Sequence, residues 1–325
     1  MTSLVIGCGS IGKRHINNLI KIKAGKILVF DTERSRLRKV KKIDGRIGII
    51  EGPGRLLGTN PEVVFICTPP SSHIGYALMW AKKNSHLFIE KPLSSNLRGV
   101  SRLIEIAKSK RLITFVGCNM RFYWAIKKIK ELLEKNLIGK VVSARLECGH
   151  FLPDWHPWED YRRMYSAKKL LGGGVIFDAI HEIDYAIWFF GLVKDLICMY
   201  GKLSNLEIET EDLAEILLKF NDGPLVNIHL DYIQRNYSRS CKIIGEEGTI
   251  FWNFNDHLVS VDSKKLKKRR IFCEPQDYDI NEMYIDELKY FLNCVRKRQG
   301  TFNDISQGFK TLKIALLVKK KGINV

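Results

Sequence analysis

The sequence predicts an α/β protein in which a doubly wound parallel sheet, residues 1–119, precedes an α+β domain with a mostly antiparallel sheet, residues 120–325. A length of 325 residues is itself more than one domain usually holds. Apolar runs alternate with amphipathic stretches in the first third of the chain, as parallel strands joined by helices do. After Asn119 this alternation stops, and closely spaced strand-like runs follow, two of them joined by the hairpin signal Asn221-Asp222-Gly223.

Each strand of the parallel sheet is predicted from a short apolar run, with helices in the amphipathic stretches between the runs. Ligands bind such sheets at the carboxyl ends of the strands, so the loops that follow these runs are the candidate binding loops. The runs are residues 3–6, 27–30, 63–67, 86–90 and 113–117.

The second domain is predicted to begin with a helix over residues 125–135 and to end with helices over 281–297 and 304–320. We leave open whether the last helix packs back onto the first domain. Strand-like runs between these helices cover residues 141–148, 195–203, 213–220, 224–232, 240–244, 249–253 and 269–273.

The first apolar run leads directly into a glycine loop with the pattern G-x-G-x-x-G. In a dinucleotide-binding unit the first glycine permits a tight turn, the second lets the backbone approach the pyrophosphate, and the third lets the helix pack on the strand. Unpaired N–H groups and the helix dipole then favour the phosphates at the start of the following helix. The loop therefore predicts a dinucleotide site that includes Gly7, Gly9, Ser10, Ile11 and Gly12.

An acidic residue ends the second apolar run and favours NAD over NADP. Asp31 lies about 20 residues after the glycine loop, where a carboxylate binds the ribose diol and repels a 2′-phosphate. Thr32 and Arg34 follow it and are also candidates for cofactor contact. Arg34 and Arg36 leave NADP as a less favoured alternative, because an arginine beyond the strand can pair with a phosphate.

Composition and charge restrict the classes of function. The chain is 45% hydrophobic, has no signal-peptide pattern and has no apolar run near the roughly 18 residues that a membrane span needs. The formal net charge is +18, but the basic clusters carry no helix-turn-helix, zinc-finger or RNA-binding signature, so we interpret them as solvated surface rather than a nucleic-acid site. The eight cysteines show no zinc-ligand spacing, which predicts reduced thiols, no metal site and a cytoplasmic protein.

Three further motifs follow the glycine loop in order: Thr68-Pro69-Pro70-x-x-His73, Glu90-Lys91-Pro92, and the run from Gly172-Gly173-Gly174 through Asp178 and His181 to Asp184. Together they resemble the Gfo/Idh/MocA oxidoreductase family, which includes glucose-fructose oxidoreductase and inositol dehydrogenase. The resemblance spans nearly the whole chain. It implies an N-terminal Rossmann domain, a C-terminal domain with a large open sheet, and hydride exchange between nicotinamide and a sugar or cyclitol carbinol. The segment from Phe151 to Lys168 is similar to members associated with surface-polysaccharide sugar biosynthesis.

Lys91 matches the catalytic lysine of the family, and its chemistry suits that role. An ammonium group beside the nicotinamide would bind the substrate hydroxyl, lower its pKa and stabilise the alkoxide. Pro92 restricts the backbone of Lys91, and we expect a cis peptide between the two residues. By resemblance and position, the cofactor residues also include Cys67, Thr68, Pro69, Pro70, His73, Glu90, Lys91 and Asn119.

Asp178 and His181 lie three residues apart on a predicted helix and are expected to share one face. By resemblance, His181 is a general acid/base together with Lys91, and Asp178 supports it or binds substrate. In the family the aspartate and histidine are often four apart, which puts Asp178 in question more than His181. A helix-capping aspartate and a buried structural histidine remain the alternative interpretation. The substrate candidates are Asn119, Arg121, Trp155, Tyr161, Arg162, Arg163, Asp178 and His181.

The resulting hypothesis is an NAD-dependent oxidoreductase acting on a carbinol of a sugar, nucleotide sugar or cyclitol. The alternatives are a redox-assisted NAD-dependent glycosidase and a dinucleotide-binding sensor without turnover. The open sheet implied by the resemblance predicts a homo-oligomer, dimer or tetramer. The sequence gives neither the sugar nor the oxidised carbon, the direction of reaction or the number of subunits.

Overall fold

The computed structural model describes residues 1–325 and contains two sheets. Strands predicted from apolar runs are present in both sheets. Three further strands, β3, β13 and β15, were not predicted. The strands are β1 Thr2–Ile6, β2 Lys26–Phe30, β3 Gly48–Ile49, β4 Val63–Ile66, β5 His86–Glu90, β6 Thr114–Gly117, β7 Val141–Gly149, β8 Val193–Gly201, β9 Leu213–Phe220, β10 Leu225–Asp231, β11 Ser238–Gly245, β12 Gly248–Asn253, β13 Leu258–Ser263, β14 Arg270–Cys273 and β15 Ile323–Asn324.

The helices are amphipathic where they flank a sheet, and none combines the length and hydropathy needed to cross a membrane. They are α1 Ser10–Lys21, α2 Arg34–Lys41, α3 Pro53–Leu57, α4 His73–Lys82, α5 Val100–Ser109, α6 Trp124–Glu134, α7 Leu152–Trp155, α8 Val175–Asp178, α9 His181–Phe190, α10 Glu282–Lys297 and α11 Ile305–Lys321. Short 3₁₀ turns occur at Pro70–Ser72, Asn119–Phe122, Tyr161–Arg163, Tyr165–Ala167, Lys169–Leu171 and Phe254–Asp256.

The chain forms two compact units, the first of residues 1–119 and 281–312, the second of residues 120–280 and 313–325. The first unit thus includes α10 and the start of α11 as well as the N-terminal third. Asn303, just before α11, binds strand β6 of this unit. Its backbone carbonyl accepts a hydrogen bond from the Val116 backbone N–H, and its side chain donates to the Val116 carbonyl at 2.7 Å.

The sheet of the first unit has the order β3-β2-β1-β4-β5-β6, and every neighbouring pair is parallel. This is the doubly wound order, in which the direction of strand succession reverses between β1 and β4. The strands are buried on both faces, as the continuous apolar runs predict. The reversal places the loops after β1 and β4 side by side at the carboxyl edge, where such sheets bind ligands.

The sheet of the second unit has nine strands in the order β14-β13-β12-β11-β7-β10-β9-β8-β15. It is antiparallel except where β7 meets β10 and where β8 meets β15. The predicted hairpin at Asn221-Asp222-Gly223 joins β9 to β10. Burial alternates along β9, so one face of this sheet is covered and the other is open. Both fold-class predictions, a parallel Rossmann sheet and a large, mostly antiparallel open sheet, are confirmed.

Candidate active site

The glycine loop between β1 and α1 leaves no room for side chains at two of its three glycines. Gly7 has a φ of +93°, and a Cβ there would lie 2.5 Å from the Cys67 carbonyl oxygen. A Cβ on Gly12 would lie 1.9 Å from the Gly7 carbonyl oxygen. Gly7 therefore permits the turn, and Gly12 permits α1 to pack against it, as the sequence pattern predicts.

Gly9 and the start of α1 have space in front of them. A Cβ on Gly9 would meet only Arg36 Nη1, at 4.0 Å. No side chain caps α1, and no acidic residue lies in its first turn, which contains Ser10, Ile11 and Gly12. The first backbone N–H groups of a helix have no partner within it and attract anions. This cradle fits the pyrophosphate of a dinucleotide.

Asp31 directly follows β2 and is 8% exposed. Its Oδ2 accepts a hydrogen bond from the Cys8 backbone at 2.7 Å, and its Oδ1 accepts one from the Glu33 backbone at 2.8 Å. The carboxylate is thus fixed beside the glycine loop. Arg36 Nη1 lies 3.9 Å from Asp31 Oδ2, whereas Thr32 and Arg34 are exposed. Arg36, rather than Arg34, is the arginine beside the Asp31 carboxylate.

The loop after β4 is tied to the loop after β5 by His73. The buried ring places Nε2 at 2.7 Å from the Thr68 carbonyl oxygen and Nδ1 at 2.9 Å from the Pro92 carbonyl oxygen. Burial lowers the pKa of His73, although these carbonyls oppose the shift. His73 therefore positions Thr68, Pro69 and Pro70, and its ring nitrogens are already engaged by the backbone. Cys67 at the end of β4 is buried, which raises its thiol pKa.

Lys91 follows the last residue of β5, and its peptide bond to Pro92 is cis, as expected. The Lys91 side chain is half-buried. Its backbone N–H donates to Glu90 Oε2 at 3.2 Å. Asn119, which follows β6, is 7% exposed and directs Nδ2 toward Met283 Sδ at 3.2 Å.

In the second unit, the carboxylate of Asp178 accepts hydrogen bonds from three hydroxyl groups. Tyr165 donates to Oδ1, and Ser166 and Tyr232 donate to Oδ2 at 2.8 and 3.1 Å. We call these four residues the Asp178 cluster. Burial, with the nearby Asp178 charge, raises the Tyr232 pKa well above its ordinary value, so Tyr232 stays a donor. Three hydroxyl donors fix the orientation of the Asp178 carboxylate.

The prediction that Asp178 and His181 share one face of a single helix is wrong. Asp178 ends α8, a helix of 4 residues, and His181 begins α9 after a break at Ala179 and Ile180. Such a break frees the two side chains from helical spacing, so their separation in sequence no longer determines which face each occupies. His181 is 6% exposed.

Two buried ion pairs anchor the first turn of α9 next to His181. Glu182 binds Arg239, with Arg239 Nε at 2.8 Å from Glu182 Oε1. Asp184 accepts two hydrogen bonds from Arg121, at 2.7 and 2.8 Å. This bidentate pair accounts for Arg121 without a ligand, so we withdraw Arg121 as a substrate contact. Sequence reasoning missed this pair, for which the one signal was a charged residue, Glu182, within an apolar helix. Arg239 lies in strand β11, far away in the chain.

The aromatic and basic candidates around α7 have different surroundings. Trp155 is 42% exposed and lies against buried His150, with ring centroids 4.0 Å apart. Tyr161 accepts a hydrogen bond from the Glu207 backbone at 3.2 Å. Arg162 and Arg163 are both exposed, and Arg162 forms ion pairs with Asp160 and Glu207. Trp155 offers an apolar ring for binding, whereas the Arg162 guanidinium is already paired with two surface carboxylates.

Family models match both parts of the chain. Residues 1–118 match an oxidoreductase family described as having an NAD-binding Rossmann fold, and residues 126–251 match a GFO/IDH/MocA C-terminal domain. Myo-inositol 2-dehydrogenase of Thermotoga maritima is 30% identical over 97% of this chain and 94% of its own length. The chain belongs to the Gfo/Idh/MocA oxidoreductase family.

Solved structures share the fold of this Gfo/Idh/MocA protein. Levoglucosan dehydrogenase, solved with NADH and levoglucosan, superposes with a TM-score of 0.87 at 18% identity and covers 99% of this chain and 96% of that one. The WlbA dehydrogenase of Bordetella pertussis, solved with NADH and UDP-GlcNAcA, gives a TM-score of 0.83 at 19% identity and covers 99% and 95%. At these identities the likeness establishes the fold.

NAD is the cofactor of this Gfo/Idh/MocA oxidoreductase, and the enzyme acts on CH–OH groups. The geometry of the first unit fits NAD, because the cradle before α1 suits a pyrophosphate and Asp31 is fixed where a ribose diol would be recognised. The sequence found both features. The sequence analysis missed His15, which follows Gly12 by three residues on α1. The His15 Nε2 atom lies 2.5 Å from Glu90 Oε1.

Proposed function

We propose that this enzyme transfers a hydride between nicotinamide and a carbinol of a sugar or cyclitol, with Lys91 and His181 handling the hydroxyl proton. The observation that carries the proposal is the position of Lys91 at the carboxyl end of β5, in the sheet that also bears the dinucleotide cradle. In a doubly wound sheet this edge is where a cofactor and its reacting partner meet.

Each residue has a distinct part in the proposed chemistry. The Lys91 ammonium binds the substrate hydroxyl and stabilises negative charge on its oxygen. His181 takes the proton, since imidazole titrates near neutral pH. Proton abstraction is assigned to His181 rather than to Asp178, because the Asp178 carboxylate is already held by three hydroxyl donors. NAD, when bound, accepts or supplies the hydride.

The preferred substrate is an uncharged polyol rather than a nucleotide sugar. A nucleotide sugar carries a diphosphate that needs unpaired cationic side chains. Arg121 and Arg162, two of the arginines considered for that task, are each bound by carboxylates. The 30% identical relative is named for myo-inositol, which agrees with this ranking. UDP-GlcNAcA is bound by a fold neighbour and remains the second candidate class.

The test is a turnover assay that follows NADH formation from NAD⁺ with myo-inositol, D-glucose, levoglucosan and UDP-N-acetylglucosamine as separate probes. We expect turnover with a cyclitol or sugar, and a loss of kcat of at least about 10²-fold in Lys91→Ala. Lys108→Ala, an exposed lysine on α5 of the same unit, is the matched control and should keep wild-type rates.

Wild-type kcat in Lys91→Ala would overturn the assignment of Lys91. Turnover with none of the probes, despite NADH binding, would support the sensor alternative. A sugar released without net NADH formation would support the redox-assisted glycosidase. His181→Asn tests the second proton-handling residue, and we expect its loss of kcat to diminish at high pH, where hydroxide assists ionisation of the substrate hydroxyl.

We also propose that the enzyme forms a homo-oligomer through the open face of its nine-stranded sheet. Ile197, Met199 and Leu225 are exposed there at 67%, 49% and 44%. Exposed apolar side chains on an open sheet face suit contact with a second copy. Light scattering of the wild type should give a multiple of the monomer mass of 37.5 kDa, and Ile197→Lys should lower it.

A further inference from the structure

The buried polar pair formed by His15 and Glu90 links the dinucleotide loop to the strand end that carries Lys91. His15 is fully buried on α1, three residues after the last loop glycine. Its Nε2 lies 2.5 Å from Glu90 Oε1. The ring is otherwise surrounded by aromatic side chains, with the Phe88 centroid at 5.1 Å and the Phe65 centroid at 6.3 Å. The hydrogen bond to Glu90 thus offsets the cost of burying the polar His15 ring among apolar side chains.

Glu90 uses its two carboxylate oxygens on two different partners. Oε1 accepts the hydrogen bond from His15, and Oε2 accepts one from the Lys91 backbone N–H at 3.2 Å. Gly117 of the adjacent strand β6 leaves space for this carboxylate, because a Cβ there would lie 3.2 Å from Glu90 Oε1. The carboxylate is therefore enclosed, and its orientation depends on His15 and on the Lys91 amide.

We propose that His15 is a positioning residue for Lys91, because it fixes the Glu90 carboxylate that holds the Lys91 backbone amide. This inference rests on the proposed catalytic role of Lys91. Without the His15 donor, a buried carboxylate loses a hydrogen bond that it cannot replace in an apolar surrounding. Glu90 then turns or admits water, and the backbone at Lys91 loses its fixed acceptor. The ammonium group of Lys91 would be displaced from the substrate oxygen, and catalysis is sensitive to such displacement.

The direct test measures hydrogen exchange of the Lys91 amide in the full-length protein without substrate. In His15→Leu this amide should exchange at least about tenfold faster, the equivalent of one lost hydrogen bond. In His15→Gln, whose side-chain N–H can replace Nε2 as donor, exchange should return to within about threefold of the wild type. Should His15→Leu not fold, Glu90→Gln keeps the shape but weakens the acceptor, and exchange at Lys91 should rise about threefold or more.

The matched control is His86→Leu. His86 begins β5, the strand that Glu90 ends, and its Nδ1 accepts a hydrogen bond from Ile113 at 2.9 Å. This substitution should lower the melting temperature and leave exchange at Lys91 unchanged. Unchanged Lys91 exchange in His15→Leu, or equal acceleration by His86→Leu, would overturn the proposal and leave His15 as a residue of the core.

A kinetic measurement separates positioning from stabilisation. With whichever probe the wild type turns over, His15→Leu should lose about tenfold or more in kcat while KM and the Kd of NADH change less than about threefold. Equal loss in kcat and in NADH affinity would contradict the proposal. If the wild type turns over none of the probes, the proposed function fails, while amide exchange still decides for or against His15.

Discussion

Arg121 and Asp184 form a bidentate ion pair in the interior of the C-terminal unit. Arg121 Nε and Nη2 donate to the two Asp184 oxygens at 2.7 and 2.8 Å, and the side chains are 4% and 2% exposed. The guanidinium also lies 5.4 Å from the ring centroid of Trp188. The pair fixes the helix that begins at His181. Arg121, which the sequence suggested as a substrate contact, therefore has a structural role.

Removal of Arg121 should therefore destabilise the protein strongly. Arg121→Met removes the bidentate partner of the buried Asp184 carboxylate, a change that costs about 3–5 kcal/mol of unfolding free energy. Urea denaturation measures it. Arg162→Met removes an exposed arginine that pairs with Asp160 and should have a much smaller effect, because water screens such a pair. Equal effects of the two substitutions would contradict the structural role of Arg121.

Alanine substitutions at two glycines of the loop should have different effects, one on NADH affinity and the other on stability. Gly9→Ala places a methyl group in open space, so the fold should persist while NADH affinity falls about tenfold or more, because the methyl occupies the approach of the pyrophosphate. Gly12→Ala clashes with the Gly7 carbonyl and should unfold the domain or lower its melting temperature sharply. Thermal melts and NADH titration separate the two outcomes. Gly75→Ala, with nothing near its Cβ, is the control for both.

Asp31 should determine the choice between NADH and NADPH. Asp31→Asn keeps one oxygen acceptor for the loop but removes the charge, so NADH affinity should fall about tenfold, as loss of a charge-assisted hydrogen bond does. NADPH affinity should rise, because repulsion of the 2′-phosphate is relieved and Arg36 is close by. Fluorescence titrations measure both. A second substitution, Arg36→Ala, should abolish the gain for NADPH, and an unaltered preference in Asp31→Asn would refute the ribose assignment.

His229 should make stability depend on pH in the alkaline range. Hydrogen bonding to Asp231, followed by Glu215, raises the His229 pKa to about 9 against the opposing effect of burial. A raised histidine pKa stabilises the fold fully below the unfolded value of about 6.5, and the contribution is lost as pH rises through about 9. After allowance for solvent screening we expect about 1 kcal/mol. Urea unfolding at pH values on either side of this range should show a smaller difference in His229→Gln than in the wild type.

The comparison of predicted and observed elements separates strong from weak sequence signals. The five buried parallel strands and the glycine loop were predicted because continuous apolar runs and a fixed glycine spacing are local properties. β3, with 2 residues, and β15, also with 2, are too short to produce a pattern. The break after Asp178 was missed because neither Ala179 nor Ile180 disfavours a helix by itself.

The same distinction between local and long-range signals applies to the residues of the candidate site. Asp31 and Lys91 could be proposed from the sequence because each lies beside a strand whose end is visible in the sequence. The partners of the charged groups were not found, because Asp184 and Arg121 are 63 residues apart in the chain and His15 and Glu90 are 75 apart. Nothing local to either residue reports such a pairing.

The sequence by itself determined the doubly wound first domain, the glycine loop for a dinucleotide, the preference for NAD indicated by an acidic residue, and the family. These follow from residue spacing over one or two elements, where backbone geometry permits few alternatives. Only the tertiary structure decided which charged side chains face a ligand and which satisfy one another, since a buried charge requires a partner that folding brings from a distant part of the chain. Arg121 and Arg162 were thereby assigned to carboxylates, and His15 to Glu90 beside Lys91.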